Sequence, residues 1–396
     1  TDQVAALTTA QAAVLTTTQA LGMNSAQVGA LETRDLVKLM TGSVQAIRTT
    51  ALAGLSDAQL SALNTAQVVA LNTAQAAVLT AVQAVGVNTA QAQMLETSDL
   101  NKLTTAAFAA LGTSVVATLD ATQVGALTTA QVKALTETQA AALTSVQAAG
   151  LTVSQTVGLE PTDLALMTTD AFAGIAPDTV ATLNSAQVGA LTPEQMTALT
   201  TAQAAAMTTT QAVGITAAQA AVMQGEDLAQ MSTAALNAVT VEAFEAIDPN
   251  EITSLSAAQV GALTTAQVKA LTVSQAAVLN TIQSSGLTTA QAEGLEVEDL
   301  QQLSTAAFAA MQADTVATLS STQVGALNTA QVKALNTAQA AAMTTTQAVG
   351  ITTAQASALE SGDLNKLTTS AFAAITTAVV AKLSATQVGA LMTAQV

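Results

Sequence analysis

The chain contains no cysteine, histidine, tryptophan or tyrosine, and only five of its 396 residues are phenylalanine. Without histidine and cysteine, it lacks the side chains that most often act as nucleophiles, proton-transfer groups and transition-metal ligands. With so few aromatic rings, it also lacks the bulk that usually fills a globular core of this size. We therefore predict that the chain is neither an enzyme nor a cofactor-binding protein.

Positive charge is scarce as well. Nine Lys and Arg stand against 26 Asp and Glu, which gives a net charge of −17. Such a surface repels phosphate backbones and anionic lipid, so we expect no nucleic-acid partner. Polar residues interrupt every apolar run well before the roughly 18 residues of a membrane span, so we expect no membrane insertion. The absence of cysteine fits a reducing cytosol and equally a secreted protein without disulfides.

An eight-residue repeat runs through the whole chain. Starting at Leu7, every eighth residue up to Leu391 is Leu, Met, Ile or Val, which makes 49 positions with no break in phase. The consensus octad is Leu-Thr-Thr-Ala-Gln-Val-x-Ala, numbered here from Leu as position 1. Eight residues overshoot two helical turns by about 80°, so one continuous helix would not keep the leucines on one side. Alanine, glutamine and glycine are poor strand residues. The pattern therefore predicts a new short helix in every octad.

Capping signals set the register of these helices. Position 2 suits an N-cap and position 5 is then the third helical residue, so Thr128 and Gln131 are typical of a capping box. Leu127 and Val132, at positions 1 and 6, are expected to form a hydrophobic staple that points inward. All four prolines occupy position 3, 24 of the 26 acidic residues occupy positions 2 to 5, and all seven lysines occupy positions 7 or 8. Proline is favoured at the first helical residue. Acidic side chains at the start of a helix and lysines at its end interact favourably with the helix dipole. Sixteen of 20 glycines also lie at positions 7 or 8, where we expect the helices to end.

Helices this short are unstable alone and must stack on their neighbours. We therefore predict an all-α solenoid or superhelix that runs through residues 1–396 as one continuous array. An Asp-Leu pair recurs every eight octads, except for one interval of nine, and this defines a 64-residue super-repeat whose blocks start near residues 31, 95, 159, 223, 295 and 359. The longer interval holds one extra octad near residues 239–247. Since the chain begins and ends inside an octad, we expect a segment of a longer array, or a subunit that joins copies of itself.

Each block opens with an acidic octad. If one block made one superhelical turn, these carboxylates would align in a ladder that could bind Ca²⁺. We favour the alternative in which Glu acts near the N-cap and Asp replaces Gln at the third helical residue. A glycosidase pair is disfavoured, because no pair is unique and no aromatic platform for a sugar exists. The candidate calcium ligands are Glu96, Asp99, Glu160, Asp163, Glu296, Asp299, Glu360 and Asp363.

Other recurring side chains have two interpretations each. The phenylalanines at position 6 are expected to fill wider parts of the core, and the alternative is that they dock a neighbouring chain. Threonines at position 3 are expected to be exposed, where rows of them could order water or mineral ions or carry O-linked sugar. Ala and Gly at positions 7 and 8 permit close approach of backbones. The phenylalanines are Phe108, Phe172, Phe244, Phe308 and Phe372.

Octads such as Leu127–Lys133 and Leu263–Lys269 resemble the low-complexity repeats of very large secreted bacterial surface and filament proteins. The resemblance implies a location outside the cell, as part of a fibre, a sheath, an adhesin stalk or a surface layer. We accordingly expect a structural protein whose copies associate end to end or side by side. The alternatives are a repeat-type binding or adhesion module, and an ice- or mineral-binding surface.

Overall fold

A computed structural model describes all 396 residues and contains only helices. It has 47 α-helices and two 3-10 helices of three to six residues each, which confirms the predicted all-α repeat fold. Except at α1 and η2, every helix begins at position 3 of its octad. The chain divides into two compact units, Thr1–Leu199 and Thr200–Val396, which are described separately.

The helices of the first unit are α1 (Asp2–Ala5), α2 (Thr9–Ala13), α3 (Thr17–Gly22), α4 (Ser25–Gly29), α5 (Thr33–Leu36), α6 (Thr41–Ala46), α7 (Thr49–Leu52), α8 (Asp57–Ala62), α9 (Thr65–Val69), α10 (Thr73–Ala76), α11 (Ala81–Ala84), α12 (Thr89–Ala92), α13 (Thr97–Leu100), α14 (Thr105–Ala109), α15 (Thr113–Val116), α16 (Ala121–Gly125), α17 (Thr129–Lys133), α18 (Glu137–Ala141), α19 (Ser145–Ala149), η1 (Val153–Gly158), α20 (Pro161–Leu166), α21 (Thr169–Gly174), α22 (Pro177–Val180), α23 (Ser185–Gly189) and α24 (Pro193–Thr197).

The helices of the second unit are α25 (Thr201–Ala205), α26 (Thr209–Ala212), α27 (Ala217–Ala220), α28 (Gly225–Gln230), α29 (Thr233–Ala238), α30 (Val241–Glu245), α31 (Pro249–Ile252), α32 (Ala257–Ala262), α33 (Thr265–Lys269), α34 (Val273–Val278), α35 (Thr281–Gly286), α36 (Thr289–Gly294), α37 (Val297–Gln302), α38 (Thr305–Ala310), α39 (Ala313–Val316), α40 (Ser321–Ala326), α41 (Thr329–Lys333), α42 (Thr337–Ala342), α43 (Thr345–Gly350), η2 (Ala356–Ala358), α44 (Ser361–Leu364), α45 (Thr369–Ala374), α46 (Thr377–Val380) and α47 (Ala385–Gly389).

Capping boxes start most of these helices, as predicted. In 28 octads the position-2 side chain caps the position-5 amide while the position-5 Gln side chain accepts from the position-2 amide. The four prolines stand at the start of α20, α22, α24 and α31. Between helices the chain turns at position 1, where Met167 has φ −60° and ψ 143°. The register read from the capping residues is therefore confirmed.

Within each unit, a helix packs against the helix three octads further along the chain. Examples are α3 with α6 and α16 with α19 in the first unit, and α32 with α35 in the second. One superhelical turn therefore takes three octads. A block of eight octads is not a whole number of such turns, so the condition for an aligned ladder of carboxylates, one turn per block, is not met. Within the first unit, the acidic octads of successive blocks lie on different sides of the solenoid.

The core consists of the side chains at positions 1 and 6, as predicted. Leu127 is 6% exposed and Val132 is fully buried. Four of the phenylalanines are fully buried, and Phe372 is 8% exposed. No ring is therefore available at the surface to dock another chain.

Several helices end at a glycine at position 7 or 8, as expected, among them α4 at Gly29 and α35 at Gly286. No residue in the chain has a positive φ, so the helices do not end in a left-handed glycine cap. Glycine is instead required where two turns approach. A β-carbon on Gly150 would lie 2.1 Å from the carbonyl oxygen of Ala121, and one on Gly286 would lie 2.2 Å from that of Ala257. These glycines let the backbones of successive turns touch.

Candidate functional site

Gln131 shows what the repeated glutamine does. Its Oε1 accepts a 2.9 Å hydrogen bond from the Thr128 amide, and the Thr128 hydroxyl accepts one of 3.2 Å from the Gln131 amide. Its Nε2 donates to the carbonyl oxygens of Leu100 and Leu103, at 2.8 and 3.0 Å. These two carbonyls belong to the preceding turn. The side chain is 1% exposed, so one buried amide both caps its own helix and binds the turn before it.

This arrangement repeats as a ladder, here called the glutamine ladder. Twenty-four position-5 glutamines donate from Nε2 to the position-1 carbonyl 28 residues earlier. A capping box accepts Glu as readily as Gln. Only Gln has the N–H groups that the carbonyls of the preceding turn require. Sequence reasoning assigned only the capping role, and the signal for the second role was the absence of Glu from the boxes.

Three octads of each block lack the glutamine, or four in the nine-octad block that starts at Met223, and small hydroxyl side chains restore part of its bonding. Thr179 donates to the carbonyl oxygen of Leu151 at 3.1 Å, and Thr315 donates to that of Leu287 at 3.0 Å. Both bonds have the same separation along the chain as the glutamine bonds. The turn-to-turn bond is thus a property of position 5, whichever donor stands there.

Aspartate occupies position 5 in the acidic octads, and it is buried. A carboxylate has no N–H and so cannot replace the glutamine bond. Both side-chain oxygens of Asp35 and one of Asp363 lie buried without a hydrogen-bond partner. At five of the buried aspartates, burial raises the pKa above its usual range, and the negative charge of a neighbouring Glu raises it further. The pKa reaches about 6 at Asp227 and at Asp299, and it is also raised at Asp99, Asp163 and Asp363.

A small cavity lies beside Asp99 in the first unit. Its volume is about 20 Å³, and Val68 and Leu71 line it together with Asp99. In the register of the glutamine ladder, the carbonyls of Val68 and Leu71 are those that a glutamine at position 99 would bind. Aspartate is one methylene shorter than glutamine and has no N–H, so Asp99 leaves these two carbonyls without that bond.

The glutamates of the acidic octads lie outside, at a groove that recurs in the blocks. Glu96, Glu296 and Glu360 are exposed N-cap residues whose side chains make no capping hydrogen bond. Each lines a groove, with volumes of about 490, 510 and 570 Å³ respectively. A lysine of the preceding turn, Lys269 or Lys333, borders two of the grooves. In an equivalent position, Lys133 forms a 3.4 Å ion pair with Glu160.

The predicted calcium ligands are thus divided between the inside and the outside. Asp99, Asp163, Asp299 and Asp363 are buried, whereas their partners Glu96, Glu160, Glu296 and Glu360 are exposed. Nowhere do three acidic side chains come close enough to hold one metal ion. Calcium binding stays a prediction.

Stacking at intervals of three octads divides the second unit into three faces. The threonine face comprises the octads of α26, α29, α32, α35, α38, α41, η2 and α46; the acidic face comprises those of α25, α28, α31, α34, α37, α40, α43 and α45; the mixed face comprises those of α27, α30, α33, α36, α39, α42, α44 and α47. The acidic face has seven Asp and Glu and no basic residue, and the mixed face has six acids and two lysines. The threonine face has two lysines and no acid.

Four stretches match the ALTTAQ repeat. They are residues 28–73, 92–129, 293–329 and 356–396, two in each unit. The six residues of that repeat correspond to positions 8, 1, 2, 3, 4 and 5 of the octad, which include the N-cap, the glutamine and the core leucine. No curated protein matches the chain. No helix exceeds six residues, so none is long enough to cross a membrane.

Proposed function

We propose that this ALTTAQ-like chain is a structural protein whose solenoid self-associates into a filament, fibre, sheath or stalk outside the cell. The observation that carries the proposal is the glutamine ladder. In most octads the principal buried polar side chain is used to bind one turn to the next. Regular stacking of this kind suits a protein that bears load or acts as a spacer.

The chemistry of the surface is consistent with that role. Exposed positions carry mostly Thr, Ala, Ser and acidic side chains. The negative charges of the acidic side chains keep a long array soluble. The proposal assigns no catalytic activity and no cofactor to the chain. The extracellular location follows from the resemblance to repeats of secreted surface proteins.

Electron microscopy of the purified full chain, combined with sedimentation over a wide concentration range, tests the proposal. We expect filaments of uniform width, or species that grow with concentration. Monodisperse single chains at every concentration would contradict self-association. As a control, replacing the buried ladder residues Gln267 and Gln331 by Ala should reduce assembly, whereas replacing the exposed Gln11 should not.

A repeat-type binding module is the second candidate, and the recurring grooves favour it. Glu96, Glu296 and Glu360 each place a carboxylate in such a groove, so each groove offers a binding point for a cationic group of a partner. Replacing these three glutamates by Gln should abolish such binding without affecting assembly.

A further inference from the structure

Charge is distributed unevenly around the second unit, Thr200–Val396. The threonine face extends over eight octads without a single Asp or Glu, although the other two faces carry 13 acids between them. Its lysines, Lys333 and Lys382, lie at one edge, where both line the groove that contains Glu360. A chain with a net charge of −17 therefore offers one extended surface free of negative charge.

The threonine face is also the most regular of the three. Position 4 of its octads is alanine in six of eight cases. Two larger apolar side chains stand out on it, Ile282 at 63% exposed and Val213 at 54%. On the other two faces position 3 varies, and includes Gly225, Val241 and Pro249. On the threonine face, position 3 forms a column of exposed threonines spaced by whole turns, namely Thr209, Thr233, Thr281, Thr305, Thr329, Thr353 and Thr377.

The extra octad, residues 239–246, preserves this separation. It lengthens its block to nine octads, which make three whole turns, so the acidic octads that begin at Met223 and Leu295 both lie on the acidic face. Without it, every later octad would rotate by one face, and the six threonine-face octads from Leu255 onward would align with the acidic octad that begins at Met223 instead of the threonine-face octad that begins at Met231. The insertion therefore keeps the acid-free octads before and after it in one column.

We propose that a second copy of this chain docks here, threonine face against threonine face; the inference rests on the proposed self-association. Covering either of the other faces would bury carboxylates without partners, which is strongly unfavourable. The threonine face can be covered without that penalty. Its small side chains allow close approach, and Ile282 supplies an apolar anchor. A contact between identical patches closes on itself, so it pairs two copies side by side within the assembly and leaves the acidic faces outside.

Matched charge insertions in the full chain test this docking. One variant combines Ala306→Glu with Ala330→Glu, at position 4 of two octads of the threonine face. The control combines Ala266→Glu with Ala338→Glu, at position 4 of two octads of the mixed face. All four alanines are exposed, and Ala330 and Ala338 lie in octads that both begin Leu-Asn-Thr-Ala-Gln. Sedimentation velocity measures association, and circular dichroism verifies that helicity is unchanged.

We expect the threonine-face variant to associate at least about a hundredfold more weakly, because carboxylates of like charge are brought together at the interface. The control should stay within about threefold of the parent chain. Deleting residues 239–246 should also weaken association, since it separates the two threonine-face octads before the deletion from the six after it and aligns those six with Glu226 and Asp227.

The outcomes separate the docking inference from the proposed function. If the parent chain associates and the threonine-face variant associates equally well, the docking surface is wrong while self-association stands. If the parent chain is monomeric throughout, both fall. If monomers shape ice crystals and the same variant abolishes that effect, the threonine face is a water-ordering surface and docking is overturned.

Discussion

Replacing Gln131 by Glu removes the turn-to-turn half of the glutamine's bonding and preserves the other half. The Glu side chain has nearly the same shape and can still accept from the Thr128 amide, so the capping box survives. The two donations to the carbonyl oxygens of Leu100 and Leu103 are lost. A carboxylate then faces two carbonyl oxygens in a buried position.

The magnitude follows from these contacts. Two buried hydrogen bonds contribute about 1 kcal/mol each, and the carboxylate adds a further desolvation penalty, so we expect a loss of about 3 kcal/mol at pH 7. The substitution should be less harmful in acid. A protonated carboxyl can donate one O–H, which reduces the expected loss to about 1 kcal/mol below pH 4. Since the pKa of the new carboxyl would be raised by folding, its stabilising protonated form is present at low pH and lost as the pH rises.

Urea unfolding followed by circular dichroism at pH 4 and pH 7 measures both values, with the parent chain as reference at each pH. Gln11→Glu is the matched control. Gln11 makes the same capping box but is exposed, so its substitution should change stability by less than about 0.5 kcal/mol. Equal effects at positions 11 and 131, or a loss at position 131 that does not depend on pH, would refute the assignment of the ladder.

The same geometry makes three other outcomes testable. Asp99→Gln should raise the unfolding free energy by about 1–2 kcal/mol at pH 7, because the amide replaces a buried carboxylate and supplies the missing turn-to-turn bonds. Gly150→Ala should lower the melting temperature clearly, since its β-carbon meets a backbone oxygen of the adjoining turn, whereas Gly22→Ala, with nothing within 4 Å, should raise it slightly. The parent chain should become less stable as the pH rises from 4 to 7, because Asp227 and Asp299 have a pKa of about 6 when folded and 3.8 as the reference value. Each contributes at most about 3 kcal/mol, which thermal unfolding across this pH range would detect.

Each of these has a result that would count against it. An unchanged or lowered stability of Asp99→Gln would mean that a glutamine at this position does not form the turn-to-turn bonds. Equal behaviour of the two glycine variants would show that the turns are not in contact at Gly150. A free energy of unfolding that increases steadily between pH 4 and 7 would show that folding does not raise the pKa of Asp227 and Asp299.

The local structure could be predicted from the sequence because it depends on neighbours within one octad. Thr128 and Gln131 belong to the same octad, and the prolines at position 3 require only the first turn of a helix. Such short-range signals determine where each helix begins. The burial of positions 1 and 6 follows directly from that register.

The relation between turns could not be predicted in the same way. The number of octads in a turn depends on the angle between successive helices, which is determined by packing that no single octad encodes. The eight-octad spacing of the acidic octads left the number of octads in a turn open, and the structure shows three. The outer bonds of Gln131 were missed for the same reason, since their acceptors lie 28 and 31 residues away.

The inserted octad at residues 239–246 also bears on how such an array changes over time. Because each octad is a complete helix with its own cap and corner, gaining or losing one leaves every other octad intact. It does, however, rotate everything downstream by about a third of a turn. Duplications of three octads, or of a multiple of three, would therefore lengthen the protein and preserve the pattern of its faces. Duplication of a single octad would move that pattern to a different side of the solenoid. The length of the protein and the chemistry of its faces can thus be selected independently.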